Sequence, residues 1–558
     1  MSSDLFEQHL NLFRRAMAAV EHRMFWSPFS EIPDMMNESA VAAGREAFEA
    51  YRDASFYLDQ PGMTGRAGGE ISPYGPVLNT VYPVCNPDRL IQAARNAIPA
   101  WTKAGPEARV GVCLEILSRL DKHGMELAHA LMHTTGQSLS FSRQFSVAQA
   151  LDRGLEAVTC AYRAMKLVPS SSLWEKPQSR GRPPLRMAKQ FTAVPRGVAL
   201  VVTCATLPTW HAYPAIMASL ATGNPVLVKP HPGAVLPIAI TVAAARMVLR
   251  EAGFDPNLVS LLVDDETGSV AQRTALKPEI RIIDYAGHNR FGAWLETSAS
   301  QAAVFVQKRA INAVVIDATD DYHGMLRNLA LSICLYSGQM TTSPRLVCVS
   351  REGVRVADAL IPVDQFCRDL SQMVSRLVEV PSAAAELLGA IASTESLAHI
   401  DALVDQCDPQ TVLRTGTALD LPQWALARTR TPTLLRMEAS ALDAAEDALF
   451  GPIALIVETG AASESLALVE RVAMEKGSLG LLLHSTHSPL QALAEEMALR
   501  TGLALSINLD ANVLMNQTAG FSDFLGTGIN PAANCSFIDP AYVAHRFCFV
   551  QVQQPAPG

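Results

Sequence analysis

From Gly197 onward the chain alternates short apolar runs with stretches whose apolar residues recur every three or four positions. "GVALVV" (197–202) reads as a buried strand, and 211–221 as a helix closed by the Gly223–Asn224 turn. "PVLVK" (225–229) is a second strand, followed by the long helix "VLPIAITVAAARMVLREAG" with Gly253 just past its end. "LVSLLV" (258–263) and "IRIID" (280–284) are third and fourth strands, each with a helix after it. This rhythm predicts right-handed crossovers and a parallel sheet covered on both faces. "INAVVID" (311–317) opens a second series that continues through "PRLVCVS" (344–350) and "SLGLLLHS" (478–485). Two α/β domains follow from the pattern alone.

Ahead of both, "PDRLIQAARNAIPAWTKAGPEARVGVCLEILSRLDKHGMELAHALMHTTG" has helical period almost throughout. At the start, Phe6, Leu10, Phe13, Met17 and Val20 fall at helical spacing, which predicts an amphipathic helix and not a signal peptide. "PSSSLWEKPQSRGRPPL" (169–185) is a Pro-, Ser- and Gly-rich loop, and the alternating "MAKQFTAV" after it predicts a hairpin arm that packs elsewhere, on another subunit. "YVAHRFCFVQVQQ" near the end alternates in the same way and suits an added strand.

Composition narrows the picture. Hydrophobic residues make up 49% and charged ones 18%, as in a compact protein with buried subunit contacts. The net charge of −9 is spread without long runs of one sign, which argues against nucleic acid as a partner. The most apolar run, "GVALVVTCATLP", is too short to span a bilayer, so no membrane role is expected. Ten cysteines are scattered singly, without CxxC pairs or His/Cys clusters. This predicts neither structural metal nor a disulfide framework, and a reducing cytoplasm.

Individually the chemical signals are weak. In "DYAGHNRFGAW" (284–294), Gly287 and Gly292 follow a strand and open a helix, as a pyrophosphate-binding turn requires and as many ordinary β–α turns also do. Lys229 ends a strand where open α/β sheets bind ligands, but solvated lysines are common there too.

Together with "PTWHAYP", "ASLATGNPVLVKP", "SGQM" and "LFGPI" (449–453), in this order and spacing, they resemble the aldehyde dehydrogenase superfamily over roughly residues 75 to 550. More narrowly, "ELAHALMHTTGQ", "DRGLEAVTCAYRAM", "TDDYHGMLRNLALSICLYSGQM" and "FSDFLGTGINPAAN" resemble the PaaN family of phenylacetic acid degradation proteins. The resemblance implies an α/β aldehyde dehydrogenase fold, with two doubly wound parallel-sheet domains and a β-arm for oligomerisation. The expected division is a helical extension (1–75), a nucleotide-binding domain (76–168 and 196–310), a bridging arm (169–195 and 535–558) and a catalytic domain (311–534). It further implies NAD or NADP held by Trp210, Lys229, Gly287, Gly292 and Phe450, a small-molecule aldehyde or acyl-CoA ligand (a ring-opened, coenzyme-A-linked semialdehyde), and a homodimer or homotetramer.

The catalytic positions depart from the family. Its nucleophilic cysteine follows "GQM", where this chain has Thr341, and a hydroxyl is a far poorer nucleophile than a thiolate unless a base adjoins it. Cys334, seven residues earlier on an apolar face, reads as a core cysteine. Counting back 34 residues from Thr341, the family's separation, gives Gln307 in place of the glutamate base, and glutamine cannot take a proton. His211 stands in place of the oxyanion asparagine, Ala448 in place of the glutamate on the nicotinamide ribose, and His288 where a small residue is usual. The expected consequence is weak or absent cofactor binding and no dehydrogenase activity, with the chain serving as a binding or scaffold subunit. Two other readings stay open: an active NAD(P)-dependent dehydrogenase, and altered acyl-CoA chemistry with His211 as base to Thr341.

Overall fold

The computed structural model describes residues 2–31, 38–265, 268–446, 449–537 and 539–556; Ala448 lies outside them. Two parallel sheets organise the chain. The first runs in the order Val259–Leu261, Val226–Lys229, Val198–Val202, Ile280–Ala286, Ala303–Gln307, all parallel. Val198–Val202 is buried along its whole length, which is why it reads as a continuous apolar run and not as an alternating one. The third strand is shorter than its apolar run: Leu262 makes one last bond, its N–H to Val228 O at 2.8 Å, and Val263 continues buried beyond it.

The second sheet has seven strands, in the order Val412–Arg414, Thr433–Glu438, Ile453–Thr459, Pro344–Ser350, Asn312–Ile316, Gly480–His484, Ala504–Ile507. It is parallel except for its edge strand Val412–Arg414. Residues ahead of the first sheet form helices, including Ser2–Gln8, Leu10–His22 and Glu38–Glu49, then Pro87–Lys103 through Ala150–Lys166. Asn86 starts the helix Pro87–Lys103 by accepting the N–H groups of Asp88 (2.9 Å) and Arg89 (3.2 Å), satisfying two of the donors that a helix N-terminus leaves open.

Ahead of the first sheet in sequence, Ser171–Lys176 and Leu185–Pro195 pair as an antiparallel hairpin, and Phe547–Pro555 adds on the other side of Leu185–Pro195. The outer strands of this sheet are largely exposed. Its attachment to the first sheet is a buried ion pair. Arg546 Nη2 lies 2.6 Å from Asp284 Oδ1 and Nη1 lies 2.9 Å from Oδ2, while Tyr542 donates its hydroxyl to Oδ1 at 2.8 Å. The guanidinium also packs on the rings of Tyr542 (4.1 Å) and Phe305 (4.8 Å), and Arg546 Nη1 donates to Ser219 Oγ. Asp284 raises the tendency of Arg546 to stay protonated despite complete burial. Breaking such a pair leaves a buried charge without its partner. Arg546→Met alone should therefore cost about 3–5 kcal/mol and lower the unfolding midpoint. Arg546→Met combined with Asp284→Leu should recover most of that loss in the same denaturation experiment.

Candidate functional site

In open α/β sheets, ligands bind at the carboxyl ends of the strands, where the strand order reverses. Here that place is the end of Val198–Val202, between Val226–Lys229 and Ile280–Ala286. Lys229, Trp210, His211, the Gly287–Gly292 turn and Gln307 all converge on it. Lys229 is buried with its Nζ 2.5 Å from Asp264 Oδ2, so its charge is already matched by a carboxylate from the next strand's end. Trp210 is buried in the first turn of the helix Pro208–Ala221, with Arg153 5.3 Å over its ring.

The turn after Ile280–Ala286 departs from an open pyrophosphate seat. His288 Nδ1 accepts the N–H of Arg290 at 3.2 Å and caps the helix Asn289–Ser298, using a donor that a phosphate would otherwise take. The Tyr285 hydroxyl donates to His288 O at 3.0 Å and lies where any Cβ on Gly287 would fall. A Cβ on Gly292 would meet the Lys308 side chain at 2.8 Å. Phe450, expected against the nicotinamide, lies 4.8 Å from the Arg309 guanidinium and 5.6 Å from that of Arg345. The residues thus fit NAD(P) at Lys229 and Phe450, and fit it poorly at the pyrophosphate turn. When bound, the nucleotide would supply the hydride acceptor.

The segment that carries Thr341 is held firmly. Tyr336 (φ 49°, ψ 40°) and Ser337 (φ 49°, ψ 35°) both adopt left-handed conformations, followed by Gly338 at φ 64°. Non-glycine residues in this region carry strain of about 1–3 kcal/mol each. Here it is offset by Tyr336 OH, 2.6 Å from Thr135 O and 3.3 Å from Thr206 O, and by Ser337 Oγ donating to Leu388 O at 3.0 Å. A Cβ on Gly338 would strike the Gly451 carbonyl. Buried Arg345 donates to the carbonyls of Gly338, Met340 and Gly451, and Asn312 Nδ2 donates to Thr341 O at 2.8 Å. Thr341 itself is half-buried, and among the described residues its Oγ1 makes no hydrogen bond. Next to it, Thr342 lines a cleft of about 690 Å³ whose walls include Phe25, Gln149, Leu479 and Phe524. Cys334 is fully buried at the end of the helix Tyr322–Cys334, and burial pushes its thiol up to about 12.

His211 is not paired with Thr341. Its Nδ1 lies 2.9 Å from Leu207 O and 3.3 Å from the Sγ of Cys204, a residue that the sequence did not single out. Gln307 ends the strand Ala303–Gln307 and lines a narrow cavity together with His211, Trp210 and Tyr285. The side chains of His211 and Gln307 meet there, and the contact with Gln307 favours the protonated imidazole. Burial is the largest single influence and opposes ionisation of both members of the Cys204–His211 pair, but the partner's charge together with the surrounding hydrogen bonds outweighs it. The thiol is lowered to about 7 and the imidazole raised. Nothing in the local sequence announces Cys204, because only the loop 203–207 folds it back on a histidine seven positions later.

Two parallel sheets covered by helices, the first reversing its strand order at Val198–Val202, define an α/β scaffold of the aldehyde dehydrogenase type. Within that class, the model of the aldehyde dehydrogenase family matches residues 85–479, and the chain belongs to that family. A crystal structure of an NAD-dependent aldehyde dehydrogenase from Burkholderia multivorans is 44% identical, with 99% of each chain covered and a TM-score of 0.96. The 2-aminomuconic 6-semialdehyde dehydrogenase of Pseudomonas sp. is 25% identical over 52% of this chain and 55% of its own length, so the match spans about half of that relative. The N-succinylglutamate 5-semialdehyde dehydrogenase of Pseudomonas fluorescens is 24% identical over 82% of this chain and 86% of its own. No described helix is long and apolar enough to cross a membrane, and no cluster of metal-ligating side chains occurs among the described residues.

The capped turn leads to a binding prediction. Calorimetric titration with NAD and with NADP should give dissociation constants well above micromolar, and a submicromolar value would contradict the geometry. His288→Gly frees the Arg290 N–H and should tighten binding several-fold, the worth of about 1 kcal/mol for one hydrogen bond.

Proposed function

We propose that this chain is a PaaN-like protein of phenylacetate degradation that has kept the family's ligand-binding scaffold and lost its thiol dehydrogenase chemistry. It acts as a binding or scaffold subunit for a ring-opened, coenzyme-A-linked semialdehyde. The observation that carries this reading is the joint state of Thr341 and Gln307. The position of the family thiol holds a hydroxyl, and the position of the family base holds a carboxamide. Removing the covalent nucleophile of a serine protease costs on the order of 10⁶ in rate, and binding survives that loss.

Semialdehyde as the ligand class draws on the relatives named for semialdehyde dehydrogenases. The largely exposed outer strands of the arm sheet favour a homodimer or homotetramer, because unpaired strand edges need cover. Ten cysteines, none of them in a disulfide, suit a reducing cytoplasm. A second reading, an active NAD(P)-dependent aldehyde dehydrogenase, draws on the 44% identity to the Burkholderia multivorans protein. The reading with His211 as base to Thr341 loses ground, since Nδ1 is engaged by Leu207 O and Cys204.

An NAD(P)H-production assay on simple aldehydes separates the first two readings. Wild type should be silent. Thr341→Cys should react with alkylating agents and turn over poorly, because Gln307 cannot deprotonate the hydrolytic water. Adding Gln307→Glu should produce measurable NAD(P)H. Wild-type turnover that Thr341→Ala abolishes would overturn the proposal.

A further inference from the structure

We propose that the crevice selects NAD against NADP, and that Asp264 makes the selection at the adenosine end. The inference rests on the dinucleotide reading of the crevice but not on the loss of dehydrogenase activity.

The strand order of the first sheet decides which end is which. Gln307 ends the strand on one side of the Gly287–Gly292 turn, while Lys229 and Asp264 belong to strand ends on the other side. With a pyrophosphate at the turn and the hydride acceptor towards Gln307, the adenosine ribose falls at Lys229 and Asp264. A cavity of about 190 Å³ lies there, between the loops that follow Val226–Lys229 and Val259–Leu261, with Pro230, Val263 and Asp264 in its walls. A cavity of about 150 Å³ already admits a benzene ring, so this one has room for a ribose.

The charges around the cavity are wrong for a phosphate. Glu70, Asp264 and Asp265 line it, and no lysine or arginine does. Nearby Lys229 is held by Asp264 Oδ2 at 2.5 Å, and Arg273 is engaged by Asp265. The adjoining start of the helix Leu236–Glu251 is closed as well. Glu70 accepts the N–H groups of Val235 (2.6 Å) and Leu236 (3.1 Å), the donors with which a helix start would hold an anion. A 2′-phosphate here meets carboxylates and no free cation among the lining residues. A 2′-hydroxyl is a donor, and a carboxylate accepts from it. The Asp264 side chain is 17% exposed and gives Lys229 only Oδ2, while Oδ1 has no hydrogen-bond partner among the described residues.

The test is calorimetric titration of the full-length protein with NAD, NADP, 5′-AMP and 2′,5′-ADP. It is run at about pH 8, where an ordinary histidine such as His231, in the loop after Lys229, is uncharged. The two fragments lack nicotinamide, so they report the adenosine end whatever Thr341 and Gln307 do. NAD should bind at least about tenfold tighter than NADP, and 5′-AMP should beat 2′,5′-ADP by a similar factor, as one hydrogen bond to a charged acceptor is worth. Asp264→Asn removes the carboxylate charge and releases Lys229, so both ratios should fall several-fold. Asp264→Glu should keep them. NADP binding as tightly as NAD in wild type would overturn the proposal. So would ratios that Asp264→Asn leaves unchanged, or no binding of NAD and 5′-AMP at millimolar concentration. Where a variant does not fold, the wild-type ratios decide. NAD(P)H formation from aldehydes by wild type would refute the silent-enzyme reading alone, because the fragment ratios are measured without turnover.

Discussion

The buried pair of Asp284 and Arg546 holds the site together. Asp284 lies in the strand whose end carries Tyr285, Gly287 and His288, and whose register sets Ala286 beside Gln307. Arg546 immediately precedes the last strand of the arm. One bidentate contact therefore ties the arm to the strand end that forms one wall of the crevice. Two ions removed from water repay that desolvation only when their remaining hydrogen-bonding groups are met, and Tyr542 and Ser219 meet several of them here. Across the crevice, Tyr336 provides the matching link, joining the Thr341 segment to the loop that bears Cys204.

These two anchors explain how the site can change its chemistry without losing its shape. Thr341 is positioned by contacts to its backbone, from Asn312, and by Arg345 clamping the carbonyls before it. None of these contacts depends on the side chain at 341. Gln307 likewise is held by its strand pairing. His211 is different. A ring at that position reaches back to Leu207 O and Cys204, and it assembles a pair that an asparagine could not charge.

Much of the fold was legible because its signals are periodic. Val198–Val202, Val226–Lys229 and Asn312–Ile316 are buried on both faces, and continuous apolar runs advertise that. The hairpin and the last strand alternate, as half-exposed strands do. Candidate site residues could be named where a motif fixes them in order, as at Lys229, Trp210 and Thr341. Cys204 was hidden for the opposite reason. It stands in an apolar run beside other small residues, and its partner is set by a non-repeating loop whose geometry leaves no period in the sequence. The left-handed Tyr336–Ser337 pair was hidden too, because neither residue type favours that conformation and tertiary hydrogen bonds impose it.

The central claim is that contact with His211 lowers the Cys204 thiol into the neutral range. The difference in ultraviolet thiolate absorbance between wild type and Cys204→Ser, followed as a function of pH, tests it most directly. The account predicts one ionisation step centred near 7 that is present only in wild type. A difference that stays flat until the pH passes about 8.5, the range of an ordinary thiol, would contradict it.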